Sequence, residues 1–406
     1  MIMLDNEWVR EHLLDGEFGI EKEALRITGD GMFAKTPHPF PDDKNIVRDF
    51  CENQIEINTG VSDSVQAAVR ELEEYERKVR DRIIKDGEYL WNFSNPPYIK
   101  DEEDIPIAQF EGVLSDKTVY RNHLSKMYGK YKMTFSGIHV NFSFGAELIK
   151  SLGINKDELY LKLAANIVED GWIITVLLSA SPLLDSSFLT RGVIGETDYI
   201  GMASVRCSEL GYWNHFVPVF DYGSVHGYCD SIREYISEGL ISSQTEIYYP
   251  VRLKPAGENS LERLEENGIN HIELRNIDIN PYAYAGIDDR DLEFIHYLII
   301  YEACRARSDM TKDKQVRACI NYKNAAHFDM DVTNIMIKDG TVLTLREAAL
   351  KLLEDIEDFY GSLGIDTANI LSYQTDKIRT GNRYSDRVRR EYADSFVKRG
   401  LELVTK

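Results

Sequence analysis

"FGIEKEALRI", residues 18–27, decides how the rest of the chain is read. Phe18, Ile20, Ala24 and Ile27 suit a strand or a short helix, yet Glu21 and Glu23 stand two positions apart within it. Side chains two apart on a strand point to the same face. Neighbouring carboxylates on one face repel, and a fold gains nothing from that repulsion. Some other requirement must hold them there.

Three further stretches repeat the pattern. "SGIHVNFSF" (136–144) sets Ile138, Val140, Phe142 and Phe144 against His139, Asn141 and Ser143. "HIELRNIDIN" (271–280) sets Ile272, Leu274 and Ile277 against Glu273 and Arg275, and "NQIEINTG" (53–60) sets Ile55 and Ile57 against Gln54, Glu56 and Asn58. Alternation of this kind marks a sheet with one face on the core. A solvated outer face usually mixes Lys, Thr, Glu and Arg. Here the polar faces carry Glu21, Glu23, Glu56, His139, Asn141, Glu273 and Arg275, all ligands or charge-orienting groups. If the four strands share a sheet, several carboxylates and a histidine converge, and such a cluster needs cations to stay ionised. Hard divalent cations with oxygen ligands, typically Mg²⁺ with nucleotide phosphates, meet that need.

Plainer readings exist for each residue alone. Glu21 and Glu23 would lie on a solvated strand edge with Arg26 as a local partner, His139 would be a structural histidine, and Glu273 and Arg275 an outward pair of small value. Recurrence on four strands favours the shared site.

The chain of 406 residues is 43% hydrophobic and 28% charged, an ordinary globular composition. Its formal charge of −21, from 68 acidic and 47 basic residues, would repel nucleic acid and anionic membranes. Cys51, Cys207, Cys229, Cys304 and Cys319 are scattered without a C-x-x-C pair, which points to a reducing compartment. No signal peptide is visible at the N-terminus, and "WIITVLLSASPLL" (172–184) is too short to span a bilayer, so a cytoplasmic protein and a buried core helix are expected.

No linker or repeat divides the sequence, so one domain over 1–406 is expected. Helical spacing runs through "VSDSVQAAVRELEEYERKVRDRII" after Gly60, with Ser62 as N-cap, and from about 156 to 181. It returns near 288–306, 344–363 and 384–403. Phosphate-loop, dinucleotide-fold, H-E-x-x-H and G-x-S-x-G patterns are absent, and Cys51 beside Glu52 is poorly placed to form a thiolate.

"GIEKEALRI", "SGIHVNFSF" and "IELRNIDINPY" resemble signature segments of the bacterial glutamate–cysteine ligases. The resemblance continues through "RDFCENQIEINTG" (48–60), "WNFSNPPYI" (91–99), "VYRNHLSKMYG" (119–129) and "ASVRCSELGYWN" (203–214), covering about 17 to 290 in the family's order. It implies an α+β fold, a curved and mostly antiparallel sheet funnel flanked by helices with a glutamine synthetase-like core. It also implies a reaction: ATP phosphorylates the γ-carboxylate of glutamate, and the amine of cysteine attacks the acyl phosphate. ATP is then a co-substrate, with Mg²⁺ (or Mn²⁺) as cofactor, and no nucleic-acid, membrane or protein partner is expected.

By that resemblance Glu21, Glu23, Asp49, Glu56, His139 and Glu273 share the metal ions, and Arg275 beside Glu273 faces the transferring phosphoryl group. Arg206, Arg252 and Lys254 are candidates for the glutamate carboxylate and the phosphates, since guanidinium forks suit both. Asn141 and Tyr249 complete the substrate-binding set. The family's cysteine pocket corresponds to Phe50, Tyr120, Arg121, Leu124 and Tyr212. The second ligase activity of fused enzymes, glycine addition, is not expected from this chain. Three alternatives remain: a ligase using a different amine, a phosphotransferase on the same sheet, and a non-catalytic metal-binding protein.

Overall fold

The computed structural model describes residue 2 and residues 4–405. Its strands run β1 (Gly16–Thr28), β2 (Ile46–Arg48), β3 (Gln54–Asn58), β4 (Glu88–Leu90), β5 (Ile138–Phe144), β6 (Leu183–Asp185), β7 (Thr197–Tyr199), β8 (Val251–Lys254), β9 (His271–Ile277), β10 (Asn334–Met336) and β11 (Val342–Thr344). The main sheet has the order β2-β3-β1-β5-β9-β8, with β4 on the far end of β1. Every pairing in it is antiparallel, and it stays open. The α+β fold is therefore as expected. β6 with β7 and β10 with β11 form two small outlying ribbons.

The four stretches read as alternating strands are β1, β5, β9 and β3. Phe18, Ile20, Ala24, Ile55, Ile57, Val140, Phe142, Ile272 and Leu274 turn to the core, each at most 2% exposed. Helices Val65–Ile83, Lys156–Asp170 and Asp289–Cys304 supply the opposing apolar surface. His296 of the last helix packs edge-on to Phe18, ring centroids 5.0 Å apart, and burial pushes its imidazole down to about 4. Lys22 shares this dry face because Glu76 of Val65–Ile83 meets its Nζ at 2.8 Å. Arg26 bonds Glu88 (2.6 Å) and Thr36 (2.6 Å), so its partner is Glu88 and not Glu23.

Several expectations about helices need correction. The helix after Gly60 starts at Val65 behind Ser64, while Ser62 exchanges backbone bonds with Phe18 (2.7 and 2.9 Å). The helix expected over 156–181 is two, Lys156–Asp170 and Trp172–Leu178. They break at Gly171, where a Cβ would lie 2.3 Å from Tyr322 Oη and 2.6 Å from the Ile167 carbonyl. "WIITVLLSASPLL" leaves the helix after Leu178, because Ala180 N–H donates to Asp278 (2.9 Å) and Pro182 favours extended backbone before it. Residues 384–403 also divide, into Tyr384–Tyr392 and Phe396–Val404. Helices Ser115–Tyr128, Val225–Ser237, Lys312–Ala325 and Ala368–Thr380 were not foreseen. Among the described residues no helix is long and apolar enough to cross a membrane.

Candidate active site

Strand register brings the acids together. Glu21 lies opposite His139, Glu23 opposite Glu56, and Glu273 opposite both Asn141 and Arg252. A register shift in β5–β9 between Ile138 and Val140 locally bends the pairing beside His139. His139 Nδ1 then stands 3.2 Å from Glu21 Oε2 and 3.6 Å from Glu273 Oε1, and its Nε2 lies 3.7 Å from Glu23. Ligand atoms of Glu21, His139 and Glu273 all fall within 4.8 Å of one another. Asn141 Nδ2 donates to Glu21 (3.0 Å).

Two buried oxygens here, Glu273 Oε2 and Asn141 Oδ1, have no hydrogen-bond partner among the described residues. Lys254 Nζ is a 3.3 Å ion-pair neighbour of the first. An imidazole among carboxylates with unused buried lone pairs suits a hard divalent cation, so the residues present fit the metal that the resemblance implies.

Electrostatics divide the carboxylates into two sets. Burial pushes the Glu273 carboxyl up, but Arg275 (2.5 Å), Lys254 and Arg252 outweigh it and hold it well below the usual range. Glu21 also ends low: burial and Glu273 raise it, while the His139 bond and charge and Lys254 prevail. Burial and then Asp49 push Glu23 up to about 8. Burial, Asp49, Glu21 and Glu23 lift Glu56 well above its ordinary value, and burial lifts Asp49. His139 is pushed down to about 4 by burial and by Arg275, so it is neutral and able to act as a ligand near pH 7.

The same face opens into a cavity of about 210 Å³. Glu23, Asp49, His139 and Arg275 border it on the sheet side, and Phe50, Tyr120, Arg121, Leu124 and Tyr212 form another wall. Arg206 and Tyr249 line it as well. Glu21, Glu56, Asn141, Glu273, Arg252 and Lys254 lie on the adjoining strands without lining the cavity itself.

The expected cations differ in how free they are. Arg252 spends Nε and Nη2 on the carbonyls of Ile247 and Thr245, which pins the 245–247 turn. Arg121 donates to the carbonyls of Asp49 (2.5 Å), Arg48 (3.2 Å) and Lys117 (3.3 Å), tying helix Ser115–Tyr128 to the chain after β2. Two of its five donors are left for a ligand. Among the described residues Arg206 donates through Nη1 alone, to the Arg275 and Ile277 carbonyls (3.1 and 3.2 Å) and toward Cys207, and its buried Nε is unpartnered. Arg275 pairs through Nη1 with Glu273.

Sequence reading missed Gly137, Thr175, Trp213, Asn276 and Tyr322. A Cβ on Gly137 would lie 2.1 Å from both Cζ and Nη2 of Arg206 and 2.3 Å from its Nε, so the guanidinium lies flat in the space left by hydrogen. Gly137 N–H also donates to Glu23 (3.0 Å). Asn276, next to Arg275 in the signature stretch, lines the cavity and bonds Thr175 Oγ1 (2.9 Å). Tyr322 reaches the wall from helix Lys312–Ala325, beyond the span of the resemblance.

An open antiparallel sheet with an acidic, cation-flanked face has the donor types that metal-assisted phosphoryl transfer requires. The model of the glutamate–cysteine ligase family matches residues 1–240 and 218–325, and the chain belongs to that family. The glutathione biosynthesis bifunctional protein GshAB of Listeria monocytogenes is 37% identical over 380 residues, covering 87% of this chain and 49% of that protein. The chain thus spans about half the length of the bifunctional relatives it matches. The glutamate–cysteine ligase of Clostridium acetobutylicum is 28% identical, covering 97% of this chain and 91% of that one. The crystal structure of the Francisella tularensis glutamate–cysteine ligase in complex with AMP has the same fold, with a TM-score of 0.86 at 23% identity over 96% of this chain and 88% of that one.

Proposed function

We propose that this chain joins glutamate to cysteine in an ATP- and Mg²⁺-dependent reaction through γ-glutamyl phosphate, the first step of glutathione synthesis, as a single catalytic domain in the cytoplasm. The observation that carries the reading is one cavity bordered by the acidic sheet face, Arg275 and the half-free Arg206. Five buried free cysteines accord with a reducing compartment. Glu21, His139 and Glu273 would hold one divalent ion, and Glu23, Asp49 and Glu56 a second, with Mn²⁺ the alternative to Mg²⁺. Such ions supply charge neutralisation for the ATP phosphates and the substrate carboxylate.

The chain's own groups do the positioning. Arg275, anchored through Nη1, keeps its other guanidinium nitrogens for the transferring phosphoryl oxygens. The Nε–Nη2 edge of Arg206 offers two parallel donors to the α-carboxylate of glutamate. Tyr249 lines the same cavity as Arg206, and Asn141, held on Glu21 beside the metal cluster, would meet the substrate there. Phe50, Tyr120, Leu124 and Tyr212 make an apolar wall for a small acceptor, and the spare donors of Arg121 face its carboxylate. Neutral His139 keeps a lone pair for a ligand.

Phosphate release with Mg²⁺, ATP and glutamate, followed while single amino acids and amines are added, tests the reading. Release that depends on cysteine supports it. Release with another amine only would change the acceptor. A stable phosphorylated product without amide would indicate a phosphotransferase, and no release a metal-binding protein without turnover.

A further inference from the structure

Arg206 has no regular element to hold it; residues 205–207 are a turn. Its neighbours are nevertheless fixed on both sides. Val205 N–H donates to the Ser181 carbonyl (3.0 Å), and Cys207 N–H donates to Ser204 Oγ (3.0 Å). Both anchors lead to one carboxylate. Asp278 Oδ1 accepts from Ser204 Oγ (3.0 Å), and Oδ2 accepts from Ser181 Oγ (2.6 Å) and Ala180 N–H (2.9 Å). The Ile277 carbonyl that receives Arg206 Nη1 immediately precedes Asp278. Asp278 is 2% exposed and does not line the cavity.

This arrangement is costly unless position matters. A buried carboxylate whose bonds all come from neutral groups forfeits hydration, and its nearby counter-charge is Arg206. An apolar knot would hold the two segments together as firmly. A carboxylate additionally fixes direction, because it accepts from several donors at once and draws the Arg206 side chain toward the sheet. With the guanidinium against Gly137 and Nη1 tied to two carbonyls, Nε and Nη2 have no hydrogen-bond partner among the described residues, while Arg206 borders the cavity.

We propose that Asp278 is a positioning residue that acts through Arg206, setting the angle of the fork that clamps the α-carboxylate of the amino-acid substrate. This rests on the assignment of Arg206 to that carboxylate. Asp278 never touches the substrate, so its loss weakens recognition of one group without altering ATP binding.

Asparagine is nearly isosteric but cannot serve all the donors. If its oxygen meets Ala180 N–H, its amide hydrogens face Ser204 Oγ, which already accepts from Cys207. The test compares glutamate with 4-aminobutyrate, which is glutamate without its α-carboxylate, using the full chain with Mg²⁺-ATP and cysteine. Wild type should prefer glutamate, and Arg206→Lys should lose most of that preference. Asp278→Asn should raise KM for glutamate about 10- to 100-fold, the worth of a charge-assisted clamp. KM for 4-aminobutyrate and for ATP should stay within about twofold of wild type, on the same clamp argument. Ser204→Ala should shift KM the same way by less, and it serves if Asp278→Asn does not fold. A drop in kcat alone, with glutamate preference intact in Asp278→Asn and Ser204→Ala, overturns the proposal. Equal use of both substrates by wild type, or full preference in Arg206→Lys, overturns the Arg206 assignment and the proposal with it.

Discussion

Glu23→Gln should make the metal-free protein more stable while destroying its activity. Glu23 is 7% exposed, and burial and Asp49 push its carboxyl from 4.5 up to about 8. Below pH 4.5 the carboxyl is protonated in both the folded and unfolded chain, and the shift has no effect on stability. Between 4.5 and 8 the unfolded chain releases the proton while the folded chain keeps it, so folding weakens as pH rises. At about 1.36 kcal/mol per pH unit, the 2.5 units between 4.5 and pH 7 amount to about 3 kcal/mol. Glutamine keeps an acceptor for Gly137 N–H and has no proton to lose. Urea unfolding in EDTA from pH 4 to 9 reads the difference directly. The variant should match wild type near pH 4, gain progressively, and level off above pH 8. Adding Mg²⁺ should stabilise wild type more than the variant, since anything that binds only the folded state adds stability. A variant less stable than wild type at pH 8 in EDTA would refute the reasoning.

Glu273→Gln should also abolish turnover, but with the opposite effect on stability. Its carboxyl is held well below the ordinary range, so its contribution is present above the unfolded value and is lost as pH falls below it. Removing it strands Arg275 and Lys254, costing about 3 kcal/mol at pH 7 on the scale of broken buried pairs, as urea midpoints will check. Gly171→Ala should lower the melting temperature, because its Cβ would strike Tyr322 Oη and the Ile167 carbonyl; overpacking of this kind costs about 1–3 kcal/mol.

Much of the fold was legible because strand alternation is local. Each residue of β1, β3, β5 and β9 chooses its face from the one before, so Ile57, Val140 and Leu274 found the core as read. Helix ends were less legible. Ser62 looks like a cap, yet a bridge to Phe18 claims it, and the break at Gly171 depends on Tyr322, some 150 positions away.

The sequence by itself determined which side chains stand on the polar faces of four strands, since a period of two needs no partner to be read. The three-dimensional structure decided what those side chains meet. Register across β1, β5 and β9 made Glu21, His139 and Glu273 one cluster, and pairings between strands so far apart in the chain leave no trace in any single stretch. It also ranked the arginines. Main-chain carbonyls take Nε and Nη2 of Arg252, three of the five donors of Arg121 and only Nη1 of Arg206, and carbonyls are the same at every position in a sequence. Only folding shows which guanidinium keeps an edge for a ligand.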